Sequence, residues 1–454
     1  MTADDDMEAL MGFASFGAQR ARRRQRQDKR VCHRDGPSHS ASAPSQHARL
    51  AQVIPGTEVP EQLHGRGRLE QGPQGVTLLA NETKSSTQSD GSASNDDGSK
   101  PLDELLSAWS SASGADKDAD AMEARLLPPS CYQRLDELQE QKNRFDELDN
   151  AVFRRARSAA NPYESLGRSR FLNRSAMKLV NMDHIFQWTA RPAGHPDASA
   201  SPVFTFADVC GGPGGFSEYL LWKHSKLSRG VRVRGYGISL KDEICDWKLP
   251  PLDDPNASFE ISYGEDGTGN LYSVDNIHHF RKLVRENHAE GVDLVVSDGG
   301  FQDARDQPNQ EEMMTKLILA EILTMLSILK VHGSFLCKTF EITTPMLLQL
   351  VWLLHQCFEK IAIIKPITSR PASSERYLVA VNLRDHLPMH KIVSALEARL
   401  ESPEKRMKLL FDPNILRGDA IFLQYMAVVS DRMAASQIRA CRAIHDRANS
   451  KRKR

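Results

Sequence analysis

The chain has 454 residues, of which 40% are hydrophobic and 26% charged, which is enough for one large domain or two ordinary ones. Basic and acidic residues both number 59, so a net charge of zero gives no sign of a polyanionic partner. The apolar runs fall short of the roughly 18 residues that span a bilayer, and no secretory signal precedes them. We therefore expect an intracellular protein with no membrane contact.

The cysteines and the basic stretches at the two ends of the chain indicate which class of protein this is. The seven cysteines form no C-x-x-C pair, which predicts reduced thiols and no structural metal. Basic stretches at 19–30 and 450–454 are typical of nuclear import or nucleic-acid contact, with solvated tail charge as the alternative. Residues 31–125 are rich in Ser, Gly, Gln and Pro and cannot bury enough apolar surface to fold. We predict a disordered, basic arm over 1–125 and expect a nuclear protein.

From about residue 126 the pattern changes to alternating helices and strands. Continuous apolar strands separated by helices indicate a mostly parallel sheet covered on both faces, a doubly wound, Rossmann-like α/β fold. Ligands of such sheets bind beyond the carboxyl ends of the strands, so the residues there are the candidates for function. The predicted helices are 132–149, 174–188, 215–225, 311–330 and 345–360, and the predicted strands are 203–210, 232–240, 293–300, 333–340, 361–367 and 376–383.

A glycine-rich loop follows the first of these strands, in FADVCGGPGGFSEYLLW (206–222). A dinucleotide fingerprint starting at Gly212 would need glycine where the chain has Ser217, and no G-K-[ST] follows for a phosphate loop. An aspartate, Asp208, at the strand end before closely approaching backbone suits the amino and carboxylate groups of S-adenosylmethionine. A tight turn without a ligand is the alternative.

Four ionisable residues lie near the other strand ends. Lys338 stands inside the apolar strand GSFLCKTF, where an amine is costly unless its pKa falls or it meets an anion. Asp298 ends a strand in VVSDGGF, Glu375 precedes the last strand, and Lys178 lies on the helix before the sheet. Taken singly, Asp298 could be a helix cap, Lys178 and Glu375 a solvated pair, and Lys338 an edge lysine.

Taken together, the order Lys, Asp, Lys, Glu resembles the catalytic tetrad of the FtsJ/RrmJ class of RNA ribose 2'-O-methyltransferases. Within that class, FLNRSAMKLVNMD, the glycine loop, SDGGF, CKTFEITTP and KPITSRPASSERY resemble the eukaryotic cap-specific mRNA enzymes that modify the first transcribed nucleotide. The likeness covers about residues 130–446 and also includes RRARSAANPYE at 154–164. It implies the seven-stranded sheet of class I S-adenosylmethionine-dependent methyltransferases.

The resemblance assigns roles to individual residues. It implies that Lys338 is the base that accepts the proton of the ribose 2'-hydroxyl. Burial and the cation Lys178 would favour neutral Lys338, whereas Asp298 and Glu375 would oppose that and fix its geometry. The donor pocket would comprise Asn173, Asp208, Cys210, Gly211, Gly212, Pro213, Gly214, Gly215, Phe216, Asn270 and Leu271. The capped RNA would contact Lys142, Asn143, Arg144, Phe145, Asp146, Arg157, Pro308, Asn309, Gln310 and Ser373.

Three positions depart from the family pattern. Asn270 stands where the family commonly has aspartate, Ser373 where it often has asparagine, and Pro308 also differs. The amide of Asn270 can still bond a hydroxyl. Lys142, Arg144 and Arg157 suit the triphosphate bridge of a cap, whereas Phe145 suits either a base or a buried helix face.

The predicted organisation is an arm at 1–125, an FtsJ-like methyltransferase domain at 126–390 and a helical extension with a basic tail at 391–454. The expected cofactor is S-adenosylmethionine and the expected partner is the m7G-capped mRNA 5' end, with transcription or RNA-processing machinery a candidate partner of the arm. Two alternatives stay open: a ribosomal or transfer RNA 2'-O-methyltransferase of the same class, and an inactive RNA-binding scaffold on the same fold. The complete tetrad favours an enzyme over the scaffold.

Overall fold

The structure, a computed structural model, describes residues 68–71, 76–80, 125–166, 170–190, 203–227, 231–300, 310–402 and 409–450. The basic tract 19–30, most of the predicted arm, residues 451–454, and Pro308 and Asn309 lie outside these ranges. The strands are β1 (Arg68–Gln71), β2 (Thr77–Ala80), β3 (Val203–Val209), β4 (Arg232–Ile238), β5 (Ala257–Ser262), β6 (Val292–Ser297), β7 (Leu329–Thr339), β8 (Phe358–Ile364) and β9 (Arg376–Leu383).

Helices surround this sheet. They are α1 (Pro129–Asn143), α2 (Asn150–Ala160), α3 (Arg174–Phe186), α4 (Gly215–Leu227), α5 (Val274–Asn287), α6 (Gln310–Ile328), α7 (Pro345–Cys357), α8 (Met389–Leu400), α9 (Asn414–Arg417) and α10 (Ala420–Ser450). Short 3-10 segments lie at Arg144–Glu147 and Trp188–Ala190. None of the helices in the described ranges combines the length and the apolarity needed to cross a bilayer.

The strands form one sheet in the order β1-β2-β8-β9-β7-β6-β3-β4-β5. Neighbouring strands from β5 to β7 pair in parallel, and β9 runs antiparallel between β7 and β8. The order reverses at β3, with β4 on one side and β6 on the other. The predicted doubly wound, mostly parallel architecture is confirmed, and this switch point is where such sheets bind ligands.

The strand count is a correction, because the described sheet has nine strands instead of the seven predicted. Strands β3 to β9 make the expected unit of seven, and the hairpin β1–β2 extends it from β8, with Leu79 opposite Ile361. This hairpin lies within the segment 1–125 that we predicted to be mostly disordered. Its strands have four residues each and stand among polar low-complexity sequence, so they leave no periodic signal.

Strand β5 was also absent from the predicted list. Its sequence ASFEIS is half exposed at the sheet edge, so it lacks the continuous apolar run that marks the central strands. Elsewhere the predicted boundaries are close, except that β7 begins at Leu329, where we predicted the end of a helix. The predicted helix 311–330 gives way to strand directly after Ile328.

Alternate residues of each central strand face opposite sides of the sheet, and the two cores follow from that alternation. In β3, Phe204 and Phe206 pack with α3 and α4, whereas Ala207 and Val209 pack with α5, α6 and α7. The central strand is buried on both faces, as its apolar run predicts. The polar residues beyond its end are therefore held by a rigid scaffold.

A further helical layer forms beside β9 from segments far apart in sequence. The 31-residue helix α10 packs along α1 and α2, with Leu138 of α1 against Ala434 and Ile438. Arg134 of α1 donates to Asp431 of α10 at 3.0 Å. The layer brings residues near 140 and near 440 to the strand end at Arg376, where the candidate site lies.

Candidate active site

The four predicted tetrad residues come together at the carboxyl ends of the parallel strands. Lys178 Nζ lies 2.8 Å from Glu375 Oε2 and 3.8 Å from Asp298 Oδ2, so one amine pairs with both carboxylates. Lys338 Nζ lies 3.3 Å from Asp298 Oδ1 and also donates to the Asp298 backbone carbonyl. Residues separated by almost 200 positions thus form one connected network of charges.

Three residues that the sequence analysis did not identify complete this network. Tyr377 donates to Asp298 Oδ1 at 2.7 Å and accepts from Lys178 at 3.1 Å. Ser175 donates to Asp298 Oδ2 at 2.5 Å, and Ser369 donates to Glu375 Oε1 at 2.6 Å. Spacing carried a signal for Ser175, which is one helical turn before Lys178 on α3.

The network favours the charged states of Lys178, Asp298 and Glu375. Burial opposes ionisation, but Lys178 and Lys338 outweigh it and lower the pKa of both Asp298 and Glu375. Burial likewise lowers the pKa of Lys178, and the two carboxylates outweigh it and raise that pKa above its ordinary value. Lys178 contacts both carboxylates and stays protonated. Lys338, by contrast, contacts only the Asp298 carboxylate.

The loop after β6 must stay small to admit Lys338. A Cβ added at Gly300 would lie 3.1 Å from the Lys338 Nζ, and one added at Gly299 would lie 2.1 Å from Oε1 of Glu321. The two glycines after Asp298 therefore let this loop pass between the lysine and helix α6. The glycine pair in SDGGF has a packing reason.

Asp208 lies near the end of β3, which pairs with β6, the strand that Asp298 follows. Its Oδ2 accepts from the Ser217 amide at 3.1 Å and from the Ser217 hydroxyl at 2.7 Å, which ties the strand to α4. Its Oδ1 is buried and has no hydrogen-bond partner among the described residues. Burial, opposed by the Ser217 bonds, raises the pKa of Asp208 to about 7. A nearby cation would favour the charged form of this carboxyl and would fill its open acceptor position. The site is therefore suited to a cationic ligand.

The glycine loop is packed too closely for other residues. A Cβ at Gly212 would lie 1.5 Å from the Cys245 carbonyl oxygen, and Gly214 has φ +113°. A Cβ at Gly215 would lie 2.1 Å from Asn173 Oδ1, the oxygen that also caps α3 by accepting from the Ser175 amide. Asn173 thus joins the loop to the helix that carries Lys178.

The remaining predicted donor residues line the same region. Ser239 Oγ accepts from the Gly212 amide at 3.2 Å, and the Ser239 carbonyl lies against Gly269, which has φ +72°. Leu271 is buried, and Asn270 Oδ1 accepts from the Tyr272 amide at 3.0 Å. The loops after β3, β4 and β5 therefore meet, as the donor-pocket prediction requires.

A buried carboxyl beneath the loops was missed from the sequence. Glu321 of α6 is fully buried, and its Oε2 accepts from the Cys337 thiol at 3.3 Å. Burial, opposed by Ser297, Cys337 and Lys338, raises the pKa of Glu321 to about 7. Its part of α6, from Leu317 to Ile328, is otherwise free of charged residues, so the signal was one acid within an apolar stretch.

The predicted RNA-contacting residues separate into two groups. Lys142 donates to Ser374 Oγ at 2.6 Å, and Ser373 lies in the same loop before Glu375, so both border the tetrad. Asn143, Arg144 and Asp146 are exposed at the end of α1. Gln310 begins α6, whereas Pro308 and Asn309 lie outside the described residues.

Phe145 has a different role from the predicted contact with a base. Its ring stacks on His445 with centroids 4.6 Å apart and packs on Phe153 at 4.9 Å. The guanidinium of Arg157 lies over the other side of Phe153, 5.4 Å from its centroid. The Phe145 ring therefore links the end of α1 to α10. Packing between the helices removes its apolar area from water.

Comparison with known proteins connects this geometry with a family. The model of the FtsJ-like methyltransferase family matches residues 171–383. The chain is 38% identical over 323 residues to a cap-specific mRNA (nucleoside-2'-O-)-methyltransferase 1 of Danio rerio, covering 67% of this chain and 38% of that protein. It is 39% identical over 324 residues to the protein of that name from Homo sapiens, again covering 67% of this chain and 38% of the relative.

The chain therefore spans well under half the length of these relatives. Among solved structures, a putative ribosomal RNA methyltransferase from Plasmodium falciparum aligns at 18% identity and a TM-score of 0.30. That alignment covers 48% of this chain and 98% of the other.

Proposed function

We propose that this chain methylates the ribose 2'-hydroxyl of the first transcribed nucleotide of m7G-capped mRNA, using S-adenosylmethionine, because residues 171–383 match the FtsJ-like methyltransferase family. The observation that carries the proposal is the contact network of Lys178, Asp298, Lys338 and Glu375. The names of the relatives support the cap as the substrate.

A ribose hydroxyl is a weak nucleophile, so the protein must align it and receive its proton. Lys338 is the proposed base, and Asp298 holds its Nζ through a carboxylate oxygen and the backbone carbonyl. Lys338 accepts the hydroxyl proton in its neutral form and becomes an ammonium beside the Asp298 carboxylate. Lys178 neutralises the second charge of the cluster, on Glu375.

The residues of the donor pocket fit a cationic amino acid ligand. The unpartnered Asp208 Oδ1 is placed to accept from an ammonium, and the close-packed loop 210–216 presents backbone to the ligand. S-adenosylmethionine, when bound, supplies a methyl group on a positively charged sulfur that is already activated for transfer. Asn270 would bond a ribose hydroxyl of the donor, although its Oδ1 is engaged by the Tyr272 amide.

For the RNA, the proposed contacts lie on the helical layer beside the tetrad. Arg144 and Arg157 would pair with the phosphates of the cap bridge, together with Lys142 at the end of α1. Ser373 would contact the cap from the loop that also carries Glu375. We omit Phe145 from these contacts, because its ring is already packed between Phe153 and His445.

The test is transfer of labelled methyl from S-adenosylmethionine to short RNAs, capped or uncapped, followed by mapping of the labelled nucleotide. Label confined to the first nucleotide of capped RNA is the expected result. Label on uncapped RNA or at internal positions would reassign the chain to ribosomal or transfer RNA. No transfer by protein that binds both donor and RNA would support the scaffold alternative.

Lys338→Ala tests the base directly. We expect it to lower turnover by about 100-fold or more while S-adenosylmethionine binding is unchanged, because the side chain lies at the tetrad and not on the glycine loop. A matched control is Lys330→Ala on the same strand, whose lysine pairs with Asp293 at the opposite end of the sheet. Appreciable turnover by Lys338→Ala would remove Lys338 from the base role.

We also propose that the chain works in the nucleus and that its arm contacts transcription or RNA-processing machinery. The support is the pair of basic tracts, 19–30 and 450–454. Imaging of a tagged chain with the two tracts neutralised, separately and together, tests this proposal. Unchanged nuclear residence of the double variant would contradict the import role of the tracts.

A further inference from the structure

The loop that carries Glu375 is held from beneath by a lysine with no role in the proposed chemistry. Lys365 directly follows β8, and its Nζ donates to the backbone carbonyls of Ser373 and Glu375, each at 2.7 Å. The same nitrogen lies 3.3 Å from Ser373 Oγ. The Lys365 amine thus contacts three acceptors. It bridges the carbonyls of the two residues that flank Ser374.

Other side chains hold the same three residues from different elements. Gln437 of α10 donates to the Ser373 carbonyl at 2.7 Å, and Lys142 of α1 donates to Ser374 Oγ at 2.6 Å. The Arg376 guanidinium donates to the Ser374 carbonyl at 3.1 Å. The loop 373–375 is therefore tied to the sheet and to the helical layer at once.

The bond to the Glu375 carbonyl matters most for the tetrad. It fixes the backbone of the residue whose carboxylate meets Lys178 at 2.8 Å and Ser369 at 2.6 Å. A shift of the Glu375 carbonyl would move the Glu375 carboxylate with it, because both belong to the same residue. Hydrogen bonds beneath a reacting group keep it within the narrow tolerance that catalysis needs.

The energetics of Lys365 point the same way. Burial lowers the pKa of Lys365 to about 7, with Glu375 and Glu341 opposing and Arg376 and Lys142 adding to the shift. A buried amine surrounded by two other cations costs free energy, which is a feature of sites under functional constraint. Its three acceptors offset part of that cost.

We propose that Lys365 is a positioning residue for methyl transfer, acting through Glu375 by holding the loop 373–375. This role rests on the proposed function. Lys365 itself touches neither the tetrad carboxylates nor, in this arrangement, the reacting atoms. It sets where the Glu375 carboxylate meets Lys178.

The experiment compares Lys365→Met with Lys330→Met in the full chain. Both remove a largely buried ammonium, but Lys330 pairs with Asp293 at the far end of the sheet. We expect kcat for capped RNA to fall roughly 100-fold in Lys365→Met, with the Kd for S-adenosylmethionine unchanged, and to stay near the wild-type value in Lys330→Met. A loss caused by lower stability alone would follow the melting temperatures of the two variants instead.

A double-mutant cycle with Glu375→Gln separates positioning from an independent effect. Because Lys365 acts through Glu375, adding Lys365→Met to Glu375→Gln should lower kcat little further. Should Lys365→Met fail to fold, Lys365→Gln keeps an amide donor and is expected to retain partial activity. Full activity of Lys365→Met would overturn the positioning role. So would an activity of Lys365→Gln no higher than that of Lys365→Met, or a loss in Lys365→Met that adds fully to the loss in Glu375→Gln.

The two proposals fail in different ways. If wild-type protein methylates no RNA, the proposed function falls and the positioning role falls with it. If wild-type protein methylates capped RNA and Lys365→Met does so equally well, only the positioning role is lost.

Discussion

Asp208 and Asp298 lie at the ends of neighbouring strands, β3 and β6, yet their environments shift the pKa values of the two carboxyls in opposite directions. Both carboxyls are buried, and burial alone would raise the pKa of each. Asp298 faces the amines of Lys178 and Lys338, which lower its pKa. The hydrogen bonds to Asp208 come from Ser217, no cation among the described residues pairs with it, and its pKa rises to about 7. The partner, and not the depth, decides the charge of a buried acid.

The difference divides the site into two halves. The Asp298 half carries its own counter-charges and is complete without a ligand, which suits catalysis on a hydroxyl. In the described part of the chain, no cation pairs with Asp208, which suits a donor that brings a positive charge. Substitutions that exchange or remove these charges test that division.

The largest effect is expected from Asp298→Asn, which removes the charge that holds both lysines. Turnover should fall by on the order of 100-fold or more, because Lys338 loses its carboxylate partner and Lys178 loses one of two. S-adenosylmethionine binding, measured by calorimetry, should stay near the wild-type value. Weakened donor binding with intact turnover would contradict the division of the site.

Asp208→Asn should have the converse effect, weakening donor binding by about 10-fold through loss of a charge-assisted bond. Wild-type affinity for S-adenosylmethionine should rise as the pH passes upward through about 7, because Asp208 then loses its proton. The variant should lack that rise. Asp293→Asn, at the opposite end of the sheet, is the control, and an unchanged pH dependence in Asp208→Asn would remove Asp208 from the donor site.

The smallest effect on turnover and donor binding is expected from Glu321→Gln, whose main effect concerns stability. The pKa of Glu321 is raised from 4.5 to about 7, so the folded state holds its proton more tightly than the unfolded state. Wild-type stability from this group is therefore lost as the pH rises from about 4.5 to 7, by up to about 3 kcal/mol. Urea unfolding should show the variant gaining on the wild type across that window, and parallel curves would contradict the assignment.

Much of the fold could be predicted because its strands are buried on both faces. The runs at 203–210 and 376–383 are continuous and apolar, and the structure places β3 and β9 within one residue of them. Edge elements escaped the same logic. Strand β5 is half exposed and the hairpin β1–β2 is short, so neither needs a pattern that stands out from loop sequence.

The candidate site divides in the same way. Lys338 was identified from the sequence because an amine within an apolar strand is costly and demands a partner. Tyr377 and Lys365 were not, since a tyrosine in a strand and a lysine after one are ordinary and only their contacts distinguish them. For Phe145 the sequence left a contact with a base or with a neighbouring helix open, and its packing on Phe153 and His445 favours the helix.

By itself, the sequence determined the layered α/β architecture, the strand ends at which polar residues gather, and the glycines that let the loops pass closely. Those features depend on local burial and backbone freedom, which a chain carries in its own periodicity. Only the tertiary structure decided which charges meet. Glu375 reaches Lys178 across 197 positions, and its loop is held by Gln437 and Lys142 from opposite ends of the described chain. Such partnerships arise when separate elements pack together, because electrostatic effects fall with distance in space and not with separation along the chain.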